Sequence, residues 1–287
     1  MKTGTNRRAA AFVALLTWSI AITGCATARP RACSPADAKP GAALTCGVPG
    51  FERRPYDIHL PADYVAARPV PVVLAIHGGG GNSRAAARTA CPGGDIAYFR
   101  ALLGALSRWV AVDPRRVYAT GLSNGGAMSH RLACQMADRI AAIATLGGEN
   151  QYATAATCAP RRPVPVLDIH GTRDPCWPYE GGTAACAQRD GMSKISVEAS
   201  MRIWAAINGC GSAQAAQPMA SEDGIKTERV RWAGCRAETE LIRTVGGGHV
   251  WPGGWPYLRE GIIGPMVRGW SANRVILDFF RRNPMRK

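Results

Sequence analysis

The run Arg116-Val117-Tyr118-Ala119-Thr120-Gly121-Leu122-Ser123-Asn124-Gly125-Gly126 decides how the rest of the chain is read. Arg116 to Gly121 has the character of a strand, and from about Asn124 to Met136 the pattern turns helical. Between them lies Gly121-x-Ser123-x-Gly125, so the serine falls on a sharp strand-to-helix turn. Small neighbours let such a turn close, and the helix N-terminus behind it favours developing negative charge. In that setting Ser123 reads as a nucleophile rather than as a plain structural turn.

Working outward, Pro55 to Leu60 and Pro71 to His77 read as strands, the second apolar throughout and therefore buried on both faces. Asp95 caps a helix whose stripe is Ile96, Phe99, Leu102, Leu103, Leu106, Trp109 and Val110. Ile140–Leu146, Val164–His170 and Glu240–Val245 read as further strands, Ser193–Asn208 and Ser271–Asn283 as helices. Strands alternating with helices predict an α/β domain with a mostly parallel sheet and helices on both faces.

A serine nucleophile needs a base, and the chain has five histidines. His59 lies in an early strand and His130 on the helix after the turn; both read as packing or surface residues. His77 and His170 close buried strands just before glycines and read as loop braces. His249 alone follows the last strand, in Gly246-Gly247-Gly248-His249-Val250-Trp251-Pro252-Gly253, and is the candidate base. The orienting acid is expected between Ser123 and His249 in the chain. Asp174, just past a strand end, is preferred over Asp168, which lies inside the strand, and over Glu180, one loop further on. Oxyanion donors are expected from the amides of Gly79, in the run His77 to Asn82, and of Asn124. No Lys-Ser/Thr follows that glycine run, which removes a phosphate-binding loop, and no Cys/His spacing suits a metal. Neither metal nor cofactor is expected.

Composition bounds the class. With 287 residues, 47% hydrophobic and 19% charged, the chain can bury a large core, so wholesale disorder is excluded. The net charge of +15 sits largely in arginine clusters of both terminal regions without interleaved aromatics, so no nucleic acid is expected as a partner. Ten cysteines point to an oxidising compartment.

Lys2, Arg7 and Arg8 precede an uncharged stretch from Ala9 to Thr23, the layout of a signal peptide over residues 1–24. Ile22-Thr23-Gly24-Cys25 resembles the bacterial lipobox, which makes Cys25 the expected lipidation site and a membrane the expected partner. The alternative is a plain secretory signal cleaved near Ala26 or Ala28. Residues 25–45, rich in Pro, Ala and Arg, read as a tether, and 46–287 as one catalytic domain. Export to the cell envelope follows, to the outer membrane in a two-membrane bacterium, or secretion.

Five segments carry a resemblance: PVPVVLAIHGGGGN (69–82), DIAYFRALLGAL (95–106), DPRRVYATGLSNGGAMSHRLAC (113–134), PVPVLDIHGTRDPCWPYEGG (163–182) and GGGHVWPGG (246–254). Together they resemble the secreted poly(3-hydroxybutyrate) depolymerase and feruloyl esterase group, placed with carbohydrate esterase family one and including lipoprotein members. The resemblance implies an α/β-hydrolase fold and a metal-free serine esterase, with Ser123, Asp174 and His249 matching the family's nucleophile, acid and base. It also implies that Trp177, Tyr179, Trp251 and Trp255 line the substrate cleft, with ordinary packing as the alternative. One departure stands out. The family has a helix and a strand after the glycine loop, and only twelve residues separate Asn82 from Asp95. One inner strand and its helix are therefore expected to be missing.

In the light of that fold, nine cysteines remain beside Cys25. The pairs considered are Cys210–Cys235, Cys134–Cys158, Cys176–Cys186 and Cys33–Cys46, with Cys91 left unpaired, although sequence alone does not set connectivity. The expected function is a monomeric, exported serine carboxylic ester hydrolase acting on feruloylated or acetylated polysaccharide or on polyhydroxyalkanoate. Its rivals are a non-catalytic envelope lipoprotein with a degenerate esterase fold, and a peptidase or dienelactone-type hydrolase of the same fold.

Overall fold

Along the central strands successive apolar side chains enter two different cores, as a period of two requires of a sheet covered on both faces. Val72 and Leu74 join one core and Val73 the other; Val117 and Ala119 alternate with Tyr118, and Leu241 with Ile242, in the same way. The computed structural model describes residues 13–16, 30–79, 94–150, 156–186, 193–222 and 224–286. Its strands are β1 (Val13–Leu16), β2 (Ala43–Cys46), β3 (Tyr56–His59), β4 (Val70–Ile76), β5 (Val112–Leu122), β6 (Ala142–Leu146), β7 (Val166–Gly171), β8 (Gly182–Thr183), β9 (Ser193–Lys194), β10 (Gln217–Glu222), β11 (Ile225–Arg231) and β12 (Thr239–Val245). The helices are α1 (Gly94–Leu106), α2 (Asn124–Gln135), α3 (Val197–Ile207), α4 (Glu260–Ile263) and α5 (Ala272–Arg282).

The main sheet runs β10-β11-β12-β7-β6-β5-β4-β1-β3-β2. Strands β12, β7, β6, β5, β4 and β1 are parallel, and antiparallel strands close both ends. Side chains of α1, α2 and α3 fill the core on one face. The amphipathic α5 covers the other, stacking Phe280 on Tyr118 with ring centroids 4.5 Å apart. This is the α/β-hydrolase fold. No helix among the described residues is long and apolar enough to cross a membrane.

The elements expected from sequence form, with four differences. Helix α3 begins at Val197, because Ser196 caps it by accepting the Ala199 N–H at 3.2 Å; Ser193 and Lys194 pair instead with β8. The hairpin β10–β11 carries polar residues on both faces of an edge, so it offers no hydrophobic alternation to read. The stretch expected to be a tether up to residue 45 is partly folded: β2 pairs with β3, and Cys33–Cys46 ties the preceding turn down.

The fourth difference concerns the inner strand. Val13–Leu16, inside the segment expected to be a signal peptide, lies between β3 and β4 and pairs in parallel with Val72–Ala75. An interior place in the sheet is thus filled from the N-terminal segment. Residues 80–93, which include Asn82 and Cys91, and Cys25 itself lie outside the described residues.

All four cysteine pairs considered from sequence are disulfides: Cys33–Cys46, Cys134–Cys158, Cys176–Cys186 and Cys210–Cys235. They close loops of 10 to 25 residues, each restricting the unfolded chain by about 3 kcal/mol on chain-entropy arithmetic.

Candidate active site

Strand β5 ends in a turn whose backbone is forced. Ser123 has φ 61° and ψ −125°, the one positive φ at a non-glycine residue among those described. The turn closes only because glycines flank it: a Cβ on Gly125 would run into the Ile76 carbonyl, and one on Gly121 into the Gly125 backbone. The Ser123 N–H donates to the Leu146 carbonyl at 2.8 Å, which pins the turn to the end of β6. Strained residues of this kind concentrate at functional sites because the surrounding structure has to hold them there.

The loop after β4 abuts the same turn, since a Cβ on Gly78 would lie 3.2 Å from the Ser123 Cβ. Gly79 follows Gly78 directly in this loop. Asn124 is exposed and opens α2, where a backbone N–H has no acceptor inside the helix.

Asp174 and His249 come from loops after β7 and β12, which are adjacent parallel strands. Asp174 Oδ1 accepts the amides of Cys176 at 2.8 Å and Trp177 at 2.7 Å, and Oδ2 accepts His249 Nδ1–H at 2.6 Å. Burial alone would push this carboxyl up. The charge on His249 and hydrogen bonds from His170 and His249 outweigh it and hold the pKa at about 2. An ionised Asp174 obliges His249 Nδ1 to carry the proton, which leaves Nε2 as the acceptor. The His249 ring packs over Gly147, where a Cβ would come within 2.8 Å of Nδ1. Ser123 and His249 therefore border the same Leu146-Gly147 strand end; no hydrogen bond joins the Ser123 hydroxyl to the imidazole among the described residues.

The other candidates fall elsewhere. Asp168 is buried inside β7, where Oδ1 accepts the Thr145 hydroxyl at 2.7 Å, and Glu180 is exposed. Trp177 and Tyr179, considered as cleft residues, are core: Trp177 lies under the Lys194 ammonium, and the Tyr179 hydroxyl donates to Glu198 at 2.7 Å. Trp251 is half-buried and donates from Nε1 to Asn273, whereas Trp255 is 94% exposed. Alternation and motif spacing place a residue along the chain but do not tell a lining aromatic from a packed one.

Sequence reasoning missed Glu149. It follows Gly147-Gly148 at the end of β6, fully buried, with Oε1 2.9 Å from His170 Nδ1. An acidic residue directly after a buried strand and a glycine pair was the available signal. His170, expected to brace a loop, has its ring between Glu149 and Asp174.

His130, Glu149 and Asp168 cluster closely enough to invite a metal reading. The donor set does not suit one. His130 Nδ1 accepts the Trp204 indole N–H at 2.8 Å, so the ring proton sits on Nε2, which points at Glu149 Oε2 from 3.9 Å. Burial drives the pKa of that imidazole down to about 4, keeping it neutral.

No family model matches the chain. Among known proteins it is similar to "Putative esterase NocK" of Nocardia uniformis subsp. tsuyamanensis, 32% identical over 199 residues, covering 66% of this chain and 57% of the relative. It is also similar to "Feruloyl esterase B" of Piromyces equi, 29% identical over 171 residues, covering 58% of this chain and 31% of the relative. "Feruloyl esterase C" of Emericella nidulans is 25% identical over 235 residues, which cover 71% of this chain and 79% of the relative. The chain thus spans little more than half of the first relative's length and about a third of the second's.

Proposed function

We propose that this chain is an exported serine esterase that cleaves carboxylic esters through Ser123, His249 and Asp174. The observation that carries the reading is the 2.6 Å hydrogen bond between Asp174 and His249 beside the strained Ser123 turn. In this reading the Ser123 hydroxyl oxygen attacks the ester carbonyl carbon while His249 Nε2 takes its proton. The amides of Gly79 and Asn124 hold the oxyanion. Collapse breaks the ester C–O bond, and the leaving alcohol takes the proton from His249. Water then attacks the acyl-enzyme with His249 again as base, which frees the acid and restores Ser123.

Two relatives named feruloyl esterases favour a hydroxycinnamoyl ester of polysaccharide over polyhydroxyalkanoate. Exposed Trp255, Tyr257, Leu258 and Ile262 follow the His249 loop and offer an apolar surface for an aromatic acyl group. Four disulfides fit an oxidising compartment, and anchoring through a lipid on Cys25 belongs to the same proposal.

One observation favours the non-catalytic rival: an interior strand is supplied by Val13–Leu16, so processing at Cys25 would open the sheet. Hydrolysis of short p-nitrophenyl esters by the folded protein, abolished by Ser123→Ala, is the expected result. A folded protein without turnover overturns the esterase reading. Release of ferulate from arabinoxylan, measured beside depolymerisation of polyhydroxybutyrate, then decides the acyl class.

A further inference from the structure

Behind the Asp174–His249 pair lies a second, wholly buried layer of charge. Both ring nitrogens of His170 face acceptors: Nε2 is 2.8 Å from the Trp177 carbonyl oxygen, and Nδ1 is 2.9 Å from Glu149 Oε1. A carbonyl has no proton to give, so Nε2 must carry one. At Nδ1 the choice lies between an imidazolium facing a carboxylate and a neutral imidazole facing a carboxylic acid. Imidazole is the stronger base by about two pK units, which favours the ion pair. Asp174 Oδ2, the oxygen that holds His249, lies 3.4 Å from His170 Nε2 and favours the cation further.

We propose that His170 is a permanently charged imidazolium, with Glu149 as its counter-ion, that positions Asp174. It acts through Asp174 and touches no substrate, so it is a positioning residue. The proposal rests on the triad reading above. Its positive charge shares one carboxylate oxygen with His249, and so disfavours a second cation on that oxygen.

The groups facing His170 are consistent with a single cation here. Asp168 Oδ2, on its own strand, lies 3.8 Å from Nδ1 and is neutral, because burial and the Glu149 charge push its carboxyl far up. The Tyr179 ring meets His170 edge-on at 5.9 Å. Arg243, beside it in register on β12, is engaged by Glu198 and Glu228. His130, behind Glu149 on α2, is uncharged. Burial opposes a charge on His170, but the hydrogen bonds and charges of Asp174 and Glu149 raise its pKa well above the usual histidine range.

Two readouts test the proposal on the full chain. In protein labelled with 15N-histidine, both ring nitrogens of His170, assigned through the backbone, are expected to stay protonated from pH 5 to 9. A neutral tautomer anywhere in that range overturns it, and this measurement needs no activity. In His170→Gln, which keeps a neutral donor, kcat is expected to fall about tenfold or more with KM little changed, because Asp174 Oδ2 loses its cationic neighbour. An unchanged kcat in a folded variant overturns its role in positioning Asp174. If the wild-type chain hydrolyses no ester while His170 still reads as a cation, the triad reading fails and the charge assignment stands. If the variant does not fold, the 15N measurement on the wild type decides.

Discussion

Asp174 and His249 are 75 residues apart in the chain and 2.6 Å apart in space. Strands β7 and β12 pair in parallel from Val166–Thr239 to Gly171–Thr244, so both end at the same level. Two loops leaving adjacent parallel strands at one level meet without further devices, which is why ligand sites gather at the C-terminal edge of such sheets.

Asp174→Asn keeps the size of the side chain and loses its charge. The variant is expected to fold and to lose about 10⁴-fold in kcat, because the neutral amide no longer enforces the His249 tautomer. KM should change little. Steady-state ester hydrolysis beside wild type is the measurement; a loss under tenfold would remove Asp174 from the role of acid.

The same carboxylate makes stability depend on pH. Its pKa of about 2 in the fold lies below the unfolded value, so the stabilisation is complete above about pH 4 and lost as pH falls toward 2. For this buried group the contribution is about 2–3 kcal/mol. Chemical unfolding at pH 5 and pH 3 should show a smaller acid loss in Asp174→Asn than in wild type.

Ser123→Gly is expected to stabilise the protein while abolishing turnover. Glycine adopts φ 61° without the strain serine bears, and its greater unfolded freedom offsets part of the gain. A net rise of about 1 kcal/mol in unfolding free energy is expected, read by denaturant titration. Ser123→Ala keeps the Cβ and the strain, and should not show it.

A variant beginning at Cys25 lacks β1. Strands β3 and β4 then lose the partner between them, and hydrogen exchange at Tyr56–His59 and Val72–Ala75 should quicken relative to the full chain. The β2–β3 hairpin keeps its own pairing. Unchanged protection would mean that the sheet closes without β1.

Much of this architecture was legible because its signals are local. The Val72–Leu74 run announces a strand buried on both faces, and the glycines around Ser123 announce a tight turn. Where the local signal is missing, so was the reading. The polar hairpin β10–β11 satisfies its backbone at an edge without apolar alternation, and Val13–Leu16, apolar like a leader, gains its place in the sheet only from what lies beside it.

The sequence by itself determined the order of the central strands and of the main helices packed on them, the strand-turn-helix that carries Ser123, and the short list holding Asp174 and His249. Periodicity, glycine placement and chain order are written residue by residue. Only the tertiary structure decided which cysteines pair, that Trp177 and Tyr179 are core, and that Glu149, His170 and Asp174 form one buried chain of charges. Burial, hydrogen-bond geometry and the field of neighbouring charges arise between segments distant in sequence, and no local pattern encodes them.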